Sequence, residues 1–140
     1  MRYEIGISIQ TGWIVWVNGP FPCGEWPDLR IARESLIFAL DDGEMYCADG
    51  GYQDGNQYSE TPTGINNYDQ WMKSVARSRH ETVNSRFKRF GILHDCFRHD
   101  LSRHGSLFMA IANITQLGIT SDEPLFHVDY YDRDSLLSST

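Results

Sequence analysis

An α/β domain with a mixed sheet is the fold class that the sequence predicts, and three observations predict it. Residues 3–9 (YEIGISI) alternate apolar and polar and lead through Thr11-Gly12 into the apolar run 13–17 (WIVWV), the pattern of a β-hairpin. Helically spaced apolar residues follow Pro27 and stop at Gly43. A short apolar stretch, 44–48 (EMYCA), then ends on a carboxylate and two glycines, the mark of a buried strand running into a turn. Strands interleaved with helices give the order hairpin, helix, strand, loop, long helix, helix, strand.

Each element has its own warrant. In the first strand Tyr3, Ile5, Ile7 and Ile9 share one face, with Glu4, Gly6, Ser8 and Gln10 on the other. WIVWV is apolar on both faces, so the second strand is expected to be covered twice and to end at Asn18-Gly19-Pro20. Pro27 and Asp28 open a crossover-length helix carrying Leu29, Ala32, Leu36, Ala39 and Leu40. Residues 53–67 are polar and turn-rich, with room for a short strand at 58–61 before Pro62. From about Tyr68 to about Leu93 the pattern is helical, with Val83, Phe87 and Phe90 as an apolar stripe. A further helix is marked by Leu107, Ile111, Ile114 and Leu117, and 124–130 (PLFHVDY) reads as a last strand. The domain is expected over 1–131, with 132–140, acidic and Ser-rich, as a disordered tail.

The chain has 140 residues, 41% of them hydrophobic, which suits one domain. Its net charge of −7 argues against a nucleic-acid partner, but the charge is segregated. Between Lys73 and Arg103 stand eight Lys and Arg against three Asp and Glu, a local balance of +5. No run approaches the roughly 18 apolar residues of a membrane span, and the N-terminus lacks a signal core. Three widely spaced cysteines, Cys23, Cys47 and Cys96, define no disulfide framework; a soluble, intracellular protein is expected, without a membrane partner.

Two carboxylates stand out. Asp49 follows a predicted buried strand, where α/β sheets place ligand-binding groups. Glu81 is the only acid between Asp69 and Asp95, set among cations, and at 100° per residue it shares a helix face with Arg77 and Lys88. Two carboxylates suit Mg²⁺, which takes hard oxygen donors together with phosphate and water, while the cations would grip the phosphates. The plainer readings are that Asp49-Gly50 is a turn and that Arg77, Glu81 and Lys88 form a solvated face. His94, Cys96, His99 and His104 are zinc-ligand types, but they lack a paired motif and do not converge on one helix, so capping and packing are the default. Trp13, Trp16 and Trp26 could stack bases but read first as core, and Cys47 reads as a small core residue.

These residues resemble a family. The spacing R-x3-E-x6-K of Arg77, Glu81 and Lys88 resembles the signature around the last catalytic glutamate of insertion-sequence-type DDE transposases, and ADGGY (48–52) resembles the strand end bearing that family's second aspartate. With GPFPCGEWPDLRIAR, RHETVNSRFKRFGIL, FRH and AIANITQL, the chain from about residue 3 to 130 looks most like the Harbinger-type DDE superfamily endonucleases. The resemblance implies an RNase H-like mixed sheet with helices on both faces. It implies a Mg²⁺ or Mn²⁺ site on Asp49 and Glu81, and DNA phosphodiester hydrolysis or strand transfer. It further implies DNA contacts from Arg77, Lys88, Arg79 and Arg86, an accessory DNA-binding protein as partner, and a nuclear location.

Two departures qualify it. Ser74 stands where the family has a tyrosine, and no residue here matches the family's first aspartate, because the chain starts at what matches the family's second strand. Asp28 matches another acid of the family and reads as a helix cap. The resemblance therefore implies an N-terminally incomplete copy, without the central strand and with unpaired edges in mid-sheet. The alternative, of a different class, is a catalytically inactive domesticated module that binds DNA or a protein partner. The active-site reading expects the Asp49 and Glu81 carboxylates within about 8 Å of each other.

Overall fold

A computed structural model of the chain describes residues 1–48, 52, 58–60 and 67–128. The opening hairpin forms as expected. β1 (Arg2–Ile7) pairs antiparallel with β2 (Ile14–Phe21), with Ile5 opposite Val17 and Gly6 opposite Trp16. Its turn is closed by bonds from Gly12 N to Ser8 O (2.8 Å) and Ser8 N to Trp13 O (2.9 Å), with Gly12 at φ +73°, where a side chain is strained. Gly6 is needed for a different reason: a Cβ there would lie 2.8 Å from Trp16 Cβ.

Two expectations for β2 are corrected. The strand does not stop at Asn18-Gly19-Pro20, because the register slips between Arg2 and Glu4 and Gly19, at φ +131°, takes up the slip beside β1. Nor is it covered twice. Ile14 and Val17 pack inward, while Trp13 and Val15 are 50% and 64% exposed.

A helical stretch follows in three parts: α1 (Asp28–Ile31), a π segment (Ala32–Leu36) and α2 (Ile37–Ala39). It buries Ile31 and Ala32 and is tied to β2 by Asn18 Nδ2 donating to Ser35 Oγ at 2.8 Å. Asp28 lies in its first turn, 3.2 Å from the Arg2 guanidinium, and makes no side-chain cap. β3 (Tyr46–Cys47) then pairs in parallel with β4 (Ser59–Glu60).

The chain is thus mixed α/β, but the expected single mixed sheet is not what forms among the described residues. There are two separate two-stranded sheets, one antiparallel and one parallel. The outer edge of the hairpin is occupied by side chains of α3 (Asn67–Phe87) instead of a strand. His80 Nε2 bonds Ile5 O at 2.8 Å, and the Arg79 guanidinium donates to Ser8 O and Ile9 O.

The core lies between α3, α5 (His104–Thr120) and the inner hairpin face, built from Val83, Phe87, Phe108, Ile111, Ala112 and Ile119. Phe108 stacks on Tyr3 (centroids 3.6 Å apart) and meets Phe87 edge-on at 5.3 Å. The phase of α5 differs from the expected one. Phe108, Ile111, Ala112, Thr115 and Ile119 face inward, while Ile114 and Leu117 are 54% and 66% exposed. The long helix also does not reach Leu93. It ends at Phe87, Phe90 turns to extended backbone, and α4 (Gly91–His94) folds back so that Phe90, Ile92 and Leu93 join the core. The expected last strand is corrected for residues 124–128, which have no regular structure. They are held by packing of Leu125 and by Arg79 Nε donating to Phe126 O at 2.8 Å. Residues 129–130 and the expected tail 132–140 lie outside the described residues.

Candidate functional site

A cleft of about 700 Å³ separates the hairpin from β3, with α3 as its floor. Consecutive residues of β1 and of 45–48 line it, so both strands turn an edge toward it, and Arg77, His80, Glu81 and Asn84 enter it from the helix. Asp49 lies outside the described residues. Its chain neighbour Ala48 lines this cleft, as does Glu81.

Three described glutamates line the cleft, and their surroundings sort them. Glu44 accepts the Asp41 backbone N–H at 2.9 Å. Glu4, only 4% exposed, accepts the Trp16 indole N–H at 2.8 Å on Oε2, and burial pushes its carboxyl above the usual carboxylate range. Glu81 is exposed and, among the described residues, makes no ion pair or side-chain hydrogen bond. Of the three it is the one whose oxygens are all available to a ligand.

The four cations expected to contact DNA divide in two. Arg77 is exposed one turn before Glu81 and lines the cleft, while Lys88 is exposed in the turn after α3, outside the cleft. Arg79 and Arg86 are turned elsewhere. Arg79 is 3% exposed and its guanidinium serves three backbone carbonyls, those of Ser8, Ile9 and Phe126, so it pins the hairpin and the C-terminal segment to α3. Arg86 donates to Glu123 O and lies beside the Glu123 carboxylate, turned toward α5 and away from Glu81. A helix of 3.6-residue period carrying cations on several faces must bury some of them, and spacing alone does not say which.

The other constellations dissolve. His94 pairs with Asp95, and His104 Nδ1 meets the Tyr3 hydroxyl at 2.5 Å beneath the core. Among the described residues no three His, Cys, Asp or Glu side chains converge on a metal-sized site. Trp13 is exposed, Trp16 is spent on Glu4, and Trp26 packs between Phe21 and the Arg30 guanidinium, so the tryptophans form no common platform. Cys47 lines the cleft, half-buried, consistent with a small packing residue.

Sequence reading missed two residues of the cleft. Glu4 lies on the polar face of β1, opposite Tyr3 and Ile5, where Trp16 stands one register step away and offers a half-buried donor. His80 sits beside Glu81, where its neighbours gave no hint of a bond to the hairpin. With Nε2–H donating to Ile5 O, its Nδ1 is left as acceptor toward Asn84, 3.4 Å away. No described helix is long and apolar enough to cross a membrane. Compared with protein-family models, with curated proteins and with solved structures, the chain matches none.

Proposed function

We propose that the cleft is the remnant or the working half of a two-carboxylate, divalent-metal site of the DDE nuclease and transposase type, acting on DNA. The observation that carries this reading is the sharing of one cleft by Ala48, which leads into Asp49, and by the unpaired Glu81 with Arg77 beside it. Asp49 and Glu81 would hold Mg²⁺ or Mn²⁺, since both supply the hard oxygen donors these ions prefer. A cation so held supplies Lewis acidity at a phosphodiester and a more acidic water.

The chain's own residues do the rest. Arg77, exposed and without an ion-pair partner among the described residues, offers a planar donor fork to a phosphate at the mouth of the cleft. Lys88 adds a second positive charge farther along the same helix direction. Arg79 contributes to shape and not to contact, because backbone carbonyls engage its donors, and Arg86 points away from the cleft toward Glu123.

A hairpin and a parallel strand pair stand on either side of the cleft, with His80 and Arg79 of α3 bonded to carbonyls along the hairpin's outer edge. The second reading is an inactive module that binds DNA or a protein partner and cuts nothing, which the exposed Arg77 and Lys88 would serve equally well. Cleavage of supercoiled plasmid with Mg²⁺ or Mn²⁺, run beside Asp49→Ala and Glu81→Gln, separates the two. Metal-dependent nicking lost in both variants supports the nuclease. Nicking that survives both substitutions removes it, and DNA retention without nicking favours the second reading. Nuclear location and an accessory DNA-binding protein belong to the same proposal and follow only if DNA is bound.

A further inference from the structure

A smaller cavity, of about 270 Å³, lies on the far side of α3 between its last turns and α5, lined by Arg86, Arg89, Phe90, Ile114, Thr115 and Glu123. Its polar groups are badly matched. Among the described residues Thr115 Oγ1 and Arg86 Nε are both closed off from water without a hydrogen-bond partner, and Thr115 is only 7% exposed. Each of these is a donor, and a buried unsatisfied donor costs about 1–3 kcal/mol, so one cavity wall concentrates a deficit of acceptors. Arg89 brings a third donor from the rim.

Among the described residues Glu123 is the one acid of the lining, and it covers this wall without satisfying it. The Glu123 carboxylate sits 3.1 Å from Arg89 Nη1 but 3.9 Å from Arg86 Nε, beyond hydrogen-bond reach. Its position is set by its backbone: Glu123 N donates to Gly118 O at 2.9 Å, and Arg86 Nη1 donates to Glu123 O. The carboxylate itself is half-exposed and held by one rim arginine, a weak attachment.

We propose that this cavity is an oxyanion site for a small tetrahedral anion of the phosphate type, with the Glu123 carboxylate as an internal stand-in that the anion displaces. A carboxylate presents two oxygens in one plane and leaves two donors unmet. A phosphate presents acceptors in several directions, enough for Arg86 Nε, Arg89 and the Thr115 hydroxyl at once. Phe90, Ile114 and Gly118 form the remaining walls, with Arg89 and Glu123 at the solvent-exposed mouth. This site is independent of the cleft, and its failure would leave the nuclease reading untouched.

The test is titration calorimetry of the full chain with inorganic phosphate at fixed ionic strength, with acetate as the planar comparison. Saturable phosphate binding is expected, tighter than acetate binding. Glu123→Gln is expected to tighten it, up to about fivefold, by removing the competing charge. Thr115→Val, which keeps shape and removes the hydroxyl, is expected to weaken it on the order of tenfold without loss of the folded state, checked by circular dichroism. No saturable binding to Glu123→Gln, or phosphate affinity that is equal in all three proteins, or acetate bound as tightly as phosphate, would overturn the assignment.

Discussion

Replacing Arg79 with methionine removes the guanidinium but keeps most of the aliphatic stem. The wild-type group is 3% exposed and donates at 2.8 Å to Phe126 O, 2.7 Å to Ile9 O and 3.2 Å to Ser8 O, with burial holding its pKa below the ordinary arginine value. Phe126 is 44% exposed overall and lies in a segment without regular structure, so of the three carbonyls its is the most readily returned to water. Ser8 and Ile9 are half-buried, and each loses a charged donor worth about 1.5 kcal/mol at the low end of the usual range. A loss of about 3 kcal/mol is therefore expected, or roughly 10 °C in Tm for a domain of this size. Urea unfolding followed by tryptophan fluorescence reads it directly, with Arg77→Met, an exposed cation two residues away, expected to change stability by less than about 0.5 kcal/mol. On DNA the ranking inverts: Arg77→Met is expected to lower the salt dependence of binding by about one phosphate contact, and Arg79→Met to leave that slope unchanged. Equal stability losses in the two variants, or a slope change confined to Arg79→Met, would refute the division of the helix into pinning and contacting arginines.

Three more outcomes test the packing and the titration of the core. Phe108→Ala is expected to cost about 3–5 kcal/mol and Leu117→Ala less than about 0.5 kcal/mol in the same urea assay, because only the former lies in the core. Gly6→Ala is expected to cost about 1–3 kcal/mol, since the added methyl would stand 2.8 Å from Trp16 Cβ and the strands must shift to admit it. His104, whose pKa burial holds below its ordinary 6.5, binds fewer protons folded than unfolded; stability should therefore fall as pH drops below about 6.5. In His104→Asn that part of the acid loss should disappear from the Tm-versus-pH profile.

How far the sequence was legible depended on whether a pattern was local. The hairpin was, since alternation from Tyr3 to Ile9 and the Thr11-Gly12 turn need only neighbouring residues, and β1 and β2 form there. The helix after Pro27 and the strands at Tyr46–Cys47 and Ser59–Glu60 were legible for the same reason. The phase of α5 was not. Its segment, HGSLFMAIANITQLGIT, is apolar nearly all round, so Ile114 and Leu117 satisfy helical spacing as well as Phe108 and Ile111 do. Docking on Tyr3 and Phe87 chose between them. The break after Phe87 was hidden too, because Phe90, Ile92 and Leu93 reach the core through a turn.

The same distinction runs through the candidate site. The isolation of Glu81 among cations is a property of the sequence, and so is the R-x3-E-x6-K spacing that sets Arg77 on its face. What became of the cations was decided by tertiary structure. Among the described residues no strand lies beside the carbonyls at the end of β1, and Arg79 and His80, which project from α3 toward that edge, supply their donors. Arg86 was drawn to Glu123 on the opposite side, while Arg77, Glu81 and Lys88 were left to solvent. By itself the sequence determined the elements and the side chains available for chemistry, because both follow from local period and composition. Only the folded chain decided which of those side chains remain free, because satisfying buried backbone groups is a long-range requirement that no local pattern records.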